Sequence, residues 1–207
     1  FIETVLLEKL NVKNIVVGPD FRFGKNREGS VNLLKRYQEK NKLGLNIANP
    51  FMIEGKVVSS SALREKLTEG SVIEATKMLS RYYEIEGEVE KGFQRGRDLG
   101  FPTINVELRN TIVPKHGVYA VLIKILSDDN QRTFKGAASI GSRPTYGDYE
   151  PNIEVFIFDF DENLYGKNVS ISLVKFIRPE LKFNSEKELI LQMKSDCETI
   201  EGVLARE

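Results

Sequence analysis

Arg95-Gly96-Arg97-Asp98-Leu99-Gly100-Phe101-Pro102-Thr103-Ile104-Asn105 sits near the middle of a 207-residue chain. With Gly92 it sets three glycines four residues apart, with two arginines among them. Glycine permits positive φ and carries no Cβ, so successive backbone N–H groups can converge on an anion. Arg95 and Arg97 add charge-assisted hydrogen bonds, and the pattern suits phosphate. Pro102 then fixes the backbone. Thr103 and Asn105 offer two neutral oxygens on one side of an extended segment, where residues i and i+2 point the same way. Such a pair can share a hard cation such as Mg2+, which keeps phosphate oxygens as well. A solvated glycine-rich hairpin fits the same spacing. No Gly-Lys-Ser/Thr follows and no helix follows, so the loop is neither a Walker A loop nor a dinucleotide fingerprint.

Thirty basic and thirty acidic residues cancel. That balance argues against a nucleic-acid or membrane-surface role, which needs a basic excess. A single cysteine, Cys197, leaves no internal disulfide and no CxxC metal site. No apolar run approaches membrane-spanning length, and the start, Phe1-Ile2-Glu3, is neither a signal peptide nor an initiator methionine. The expectation is a cytoplasmic protein whose natural N-terminus is missing.

Before the central loop the periodicity is that of an α/β domain. Ile2, Val5, Leu6 and Leu10 are at helical spacing, and Asn14 to Val17 is a short apolar run ending at Gly18, as a buried parallel strand would be. The loop that follows, with Asp20, Phe21 and Gly24, leaves the strand's carboxyl end, where open α/β sheets bind ligands. Ser30 can cap a helix to about Lys42, and Leu43 to Ala48 reads as the next strand. Ser59, Ser60 and Ser61 open a further helix with Arg64 on its first turn. They offer hydroxyls, free N–H groups and a cation to an anion, or simply a serine cap. Ser71 with Glu74 reads as a capping box.

From Tyr83 onward the period is two. Alternation recurs at 117–125, 134–140, 153–160 and 169–176, which suggests a small antiparallel barrel. Along 153–158, Ile153, Val155 and Ile157 form one face and Glu154, Phe156 and Phe158 the other. A carboxylate between phenylalanines is a candidate base, since partial burial would make it a better one; an exposed glutamate on the outer face fits the pattern equally. A last helix starts at Ser185, with Glu188 completing a capping box. It carries Leu189, Met193, Cys197, Ile200 and Leu204 on one stripe, read as packing against the barrel, with Cys197 as a small core hydrophobe. His116 is expected on a turn and is assigned no role.

Gly87-Glu88-Val89-Glu90-Lys91-Gly92, Arg95-Gly96-Arg97 and Gly100-Phe101-Pro102-Thr103-Ile104-Asn105 together resemble the signature of riboflavin kinases, with Ile104 where that family has alanine. Glu154 to Lys167, Ile140 to Gly147 and Phe176 to Phe183 resemble three further segments of the family. Tyr146 replaces a phenylalanine there, and Pro179 stands where a more flexible acidic residue is usual. Upstream, the Asp20-Phe21 loop and Val58 to Arg64 look like the second half of the FMN adenylyltransferase module of prokaryotic bifunctional FAD synthetases. The resemblance implies residues 1–82 as the distal part of a Rossmann-like nucleotidyltransferase domain, and 83–207 as a riboflavin kinase β-barrel with a C-terminal helix. It implies transfer of the γ-phosphate of ATP to riboflavin with Mg2+, giving FMN, which the parent protein would adenylylate to FAD. Arg95, Gly96 and Arg97, with Gly92, Gly100 and Pro102, would hold phosphate, and Thr103 and Asn105 the metal and nucleotide. Glu154 would take the proton, and Arg178 and Phe183 would belong to the flavin-side loop. In the adenylyltransferase part, Ser59 to Arg64 would contact ATP phosphates. The family's His-containing motif is not in this sequence, so adenylyl transfer is not expected from this chain alone. The alternative is a non-catalytic flavin- or nucleotide-sensing module, which would lack the metal and base residues.

Overall fold

The computed structural model describes residues 1–207 apart from 41, 93–95, 97–98, 109–110, 128–131 and 146–147, and gives the backbone alone at 143–145 and 148–150. Two packing units result, 1–58 and 59–207.

In the first unit the expected opening helix is a wide one, Ile2–Lys9. Its bonds run i→i+5, as from Leu6 N–H to the Phe1 carbonyl at 3.2 Å and from Leu10 N–H to Val5 at 3.0 Å. Strand β1 (Asn14–Val17) pairs in parallel with β4 (Gly44–Ile47), Asn14 opposite Gly44. Between them come a short β2–β3 hairpin (Arg22–Phe23 and Gly29–Ser30) and helix α1 (Val31–Glu39). The helix ends at Glu39, short of Lys42, and Ser30 precedes it without a side-chain cap bond. Ile2, Val17, Val31, Leu34 and Leu43 form this unit's buried core. A hairpin, β5 (Met52–Ile53) and β6 (Lys56–Val57), follows. Glu54 and Gly55 between its strands both have positive φ, 51° and 77°, as a tight type I′ connection requires.

The second unit opens with α2 (Ser60–Glu69) and α3 (Val72–Leu79). Ser59 Oγ accepts the Ala62 N–H at 3.2 Å, a true cap, and Gly70 closes α2 at φ 83°. The expected capping box on α3 is not formed: Ser71 makes no side-chain cap bond, and Glu74 pairs with Lys77 at 3.0 Å. Leu67, Val72 and Ala75 are buried in one core with Ile85, Ile171 and Leu173 of the sheet. The packing unit therefore begins at Ser59, whereas 82/83 marks where the periodicity turns from helix to strand.

Six antiparallel strands make the sheet, in the order β7 (Tyr83–Glu88), β12 (Asn168–Arg178), β9 (Gly117–Ile125), β10 (Thr133–Thr145), β11 (Asp148–Ile157), β8 (Thr103–Glu107). It is curled rather than fully closed. Among the described residues its edges join at one bridge, where Glu90 N–H donates to the Asn105 carbonyl at 2.9 Å. Register shifts after Leu173 and Phe176, where β12 runs beside β9, add to the curl. Both faces of β9 are covered, which explains its nearly unbroken apolar run. Tyr119, Val121 and Ile123 face the inner core, while Ala120 packs with Val174, Ile200 and Leu204 under the C-terminal helix α4 (Glu186–Leu204). Ser185 Oγ accepts the Glu188 N–H at 3.2 Å, Glu188 reaches back to the Asn184 N–H at 3.1 Å, and Lys135 donates to the Leu204 carbonyl at the far end. Both ends of α4 are thus tied down.

Candidate active site

β11 divides its side chains as its alternation predicts. Ile153, Val155 and Ile157 are buried in the core, and Glu154, Phe156 and Phe158 are half-buried on the other face. In register, Glu154 lies between Ser139 of β10 and Asn105 of β8, and Phe156 lies between Ala137 and Thr103. Cross-strand partners share a face. Thr103, Asn105, Glu154 and Ser139 therefore form one polar cluster, four residues drawn from three strands. The buried Asn152 donates its amide to Glu154 Oε1 at 3.5 Å from the same face.

The glycine loop approaches this cluster closely. A Cβ on Gly92 would stand 2.3 Å from Asn105 Nδ2; one on Gly96 would stand 2.3 Å from the Phe101 carbonyl and 3.3 Å from Thr103 Oγ1. Phe101 N–H donates to the Gly96 carbonyl at 2.7 Å, and Gly100 has φ 84°, open to glycine at little cost. Two of the glycines thus serve backbone approach to Asn105 and Thr103, and the third a left-handed turn. Arg95 and Arg97 lie outside the described residues, as do Tyr146 and Gly147.

Two cavities flank the cluster. One, of about 350 Å³, is an apolar slot between sheet and helix. Glu154, Phe156 and Ser139 line it from the sheet, Phe101 from the segment before β8, Leu181 and Phe183 from the segment after β12, and Leu189, Met193 and Cys197 from α4. The Phe101 and Phe156 rings meet edge to face at 5.3 Å. The other, of about 470 Å³, lies between Pro102, Thr103 and Ile104 and the segment Phe160 to Tyr165. That rim is braced by an Arg132–Glu162 pair at 2.9 Å and by Tyr165 N–H donating to Asn163 Oδ1 at 3.0 Å. Among the described residues, Thr103 alone lines both.

Three features went unread in the sequence. The slot takes Leu189, Met193 and Cys197 from the stripe expected to pack on the barrel, whereas Ile200 and Leu204 do pack there. Burial, helped by Asp196, Glu201 and Glu198, pushes the Cys197 thiol up to about 11, so little of it is thiolate near neutral pH. Arg178 lines the slot, but its guanidinium is committed to Asp196 of α4. A carboxylate breaking an apolar stripe was the available signal. The rim at 160–165 carried none beyond the family resemblance.

Of the adenylyltransferase-like residues, Asp20 and Phe21 follow β1, with Phe21 stacked on Phe23 at 5.5 Å and Gly24 at φ 77°. Ser59, Ser60, Ser61 and Arg64 open α2 in the other unit, where Arg64 donates to Ser61 Oγ at 3.3 Å.

The family model for riboflavin kinase matches residues 79–204, and that for FAD synthetase matches 1–62. Bifunctional riboflavin kinase/FMN adenylyltransferases are similar along most of the chain. The one from Haemophilus influenzae is 36% identical over 199 residues, covering 96% of this chain and 64% of that protein. The one from Escherichia coli K12 is 37% identical over 196 residues, covering 95% and 62%. A solved structure described as a macrolide-efflux protein from Streptococcus pneumoniae superposes with a TM-score of 0.82 at 32% identity, covering 97% of this chain and 64% of that one. The chain thus spans less than two thirds of the length of these relatives. Because the kinase match alone takes in more than half of its residues, the chain belongs to the riboflavin kinase family.

Proposed function

We propose that this chain transfers the γ-phosphate of ATP to the 5′-hydroxyl of riboflavin, giving FMN and ADP. The observation that carries the reading is the junction at Thr103: two cavities share that one residue, and Glu154 stands in the one beneath α4. The slot between the phenylalanines and α4 suits a flat, largely apolar ring system. The second cavity, between Pro102 to Ile104 and the segment Phe160 to Tyr165, suits the nucleotide. Thr103 and Asn105 would hold Mg2+, and the fit rests on Gly92 and Gly96, whose missing side chains let the loop backbone come close to both of these side chains. When bound, the ion would neutralise charge on the phosphate oxygens. Glu154 accepts the hydroxyl proton as the new O–P bond forms and the bond from the γ-phosphorus to the bridging oxygen breaks. Asn152 holds that carboxylate in place.

The domain boundary at 82/83 is proposed as the line between adenylyltransferase-like and kinase-like sequence. FMN adenylylation belongs to the longer relatives and is not assigned to this chain. No described helix is long and apolar enough to cross a membrane, and a cytoplasmic location, where ATP is supplied, is proposed together with the reaction. Incubation with riboflavin, ATP and Mg2+, followed by chromatographic separation of the flavins, tests the reading. FMN without FAD is expected; recovery of unchanged riboflavin would remove the kinase assignment and favour a flavin-sensing module.

A further inference from the structure

One charged pair in the slot wall takes no part in the chemistry above. Arg178 ends β12, and Asp196 sits in the middle of α4. Arg178 Nε lies 2.9 and 3.0 Å from the two carboxylate oxygens, and Nη2 lies 2.6 Å from Oδ2. The side chains are only 17% and 8% exposed. Gln192, one turn earlier, donates to Asp196 Oδ1 at 2.9 Å. The remaining guanidinium nitrogen, Nη1, donates to the Pro179 carbonyl at 2.9 Å. One side chain therefore fastens the start of the segment 179–184 to the helix. That segment has no strand or helix of its own, yet it supplies Leu181 and Phe183 to the slot. Its next residue, Glu180, rests over Gly141, where a Cβ would come within 2.4 Å of Oε1. Asp196 itself is fully engaged by Arg178 and Gln192, so it acts through Arg178 rather than on a ligand.

We propose that Asp196, supported by Gln192, is a positioning residue for flavin binding: it holds Arg178, and through the Pro179 carbonyl it keeps 179–184 in place as one wall of the slot. This rests on the reading of the slot as the flavin site. Removing one member of a buried ion pair leaves the other charge uncompensated, so the guanidinium turns to water and takes the segment with it. The nucleotide cavity shares no residue with this network, so the effect is confined to the flavin.

Asp196→Asn and Gln192→Leu test the proposal, with hydrogen exchange of 178–184 measured without substrate and KM measured for riboflavin and for ATP. In Asp196→Asn, exchange in 178–184 speeds up and KM for riboflavin rises about tenfold, the scale of a lost charge-assisted hydrogen bond, while KM for ATP and kcat stay put. Gln192→Leu keeps the ion pair and shifts the same two quantities by a few-fold. Unchanged exchange in a folded Asp196→Asn protein, or equal rises in both KM values, overturns the proposal. If Asp196→Asn does not fold, Gln192→Leu decides, and wild-type exchange there overturns it too. A wild-type protein that makes no FMN contradicts the kinase reading, whereas the exchange result reports on the anchor alone.

Discussion

Gly92→Ala puts the geometry of the oxygen pair under direct stress. An ideal Cβ there would stand 2.3 Å from Asn105 Nδ2 and 2.6 Å from its Cγ, where ordinary contact starts near 3.4 Å, so something must move by about 1 Å. The loop and Asn105 share the displacement, and Asn105 has little room. It is 5% exposed, paired with Glu154 on β11 and bridged to Glu90. A misplacement of about 1 Å near a reacting centre costs about a hundredfold in rate, or ~2.7 kcal/mol of transition-state stabilisation. The expected result is a fall of about that size in kcat/KM for MgATP, measured by FMN formation, with riboflavin binding retained. Gly55→Ala is the control. Its φ of 77° strains alanine by about 1–2 kcal/mol, but nothing lies within 4 Å of the new methyl group, so it lowers stability and spares turnover. A Gly92→Ala enzyme with wild-type kcat/KM would refute the assignment of Asn105 as a ligand held under the loop.

Glu154→Gln keeps the shape of the side chain and removes the base, so kcat should fall about 10²–10⁴-fold with ATP binding intact; unchanged turnover by the same assay would end its role. Leu204 is wholly buried where α4 meets the sheet, and Leu204→Ala should cost about 2–5 kcal/mol in urea unfolding, a loss under 1 kcal/mol showing that α4 is not held there. The Cys197 pKa of about 11 lies above the ordinary 9.0, so the thiolate is scarce at pH 8, about a hundredfold below an ordinary thiol. Alkylation by iodoacetamide should be slow at pH 8, quicken toward pH 11, and be blocked by riboflavin; rapid reaction at pH 8 would contradict the burial.

The legible parts were those where one residue period matches one physical surface. Ile153, Val155 and Ile157 against Glu154 and Phe156 told the two faces of β11 apart, because a strand with one face in the core cannot slip without exposing it. That Thr103 and Asn105 share a face with Glu154 was legible for the same reason. Helix α4 was not, because Ile200 and Leu204 in the core and Leu189 and Met193 in the slot obey one periodicity; only topology separates packing from lining. Arg178 and Asp196 are 18 residues apart on different elements, a separation no local pattern marks. Ser71 and Glu74 have capping-box spacing, but Lys77 one turn on offers Glu74 an ion pair instead.

The account turns on two substrates meeting at Thr103, and a crystal structure with riboflavin and a non-hydrolysable ATP analogue with Mg2+ tests that most directly. It should place the ring between Phe156 and α4, the nucleotide beside Tyr165, and the γ-phosphate and the 5′-hydroxyl on either side of Thr103 with Glu154 on the hydroxyl. Flavin bound away from the α4 slot, or a γ-phosphate remote from Thr103, would contradict it.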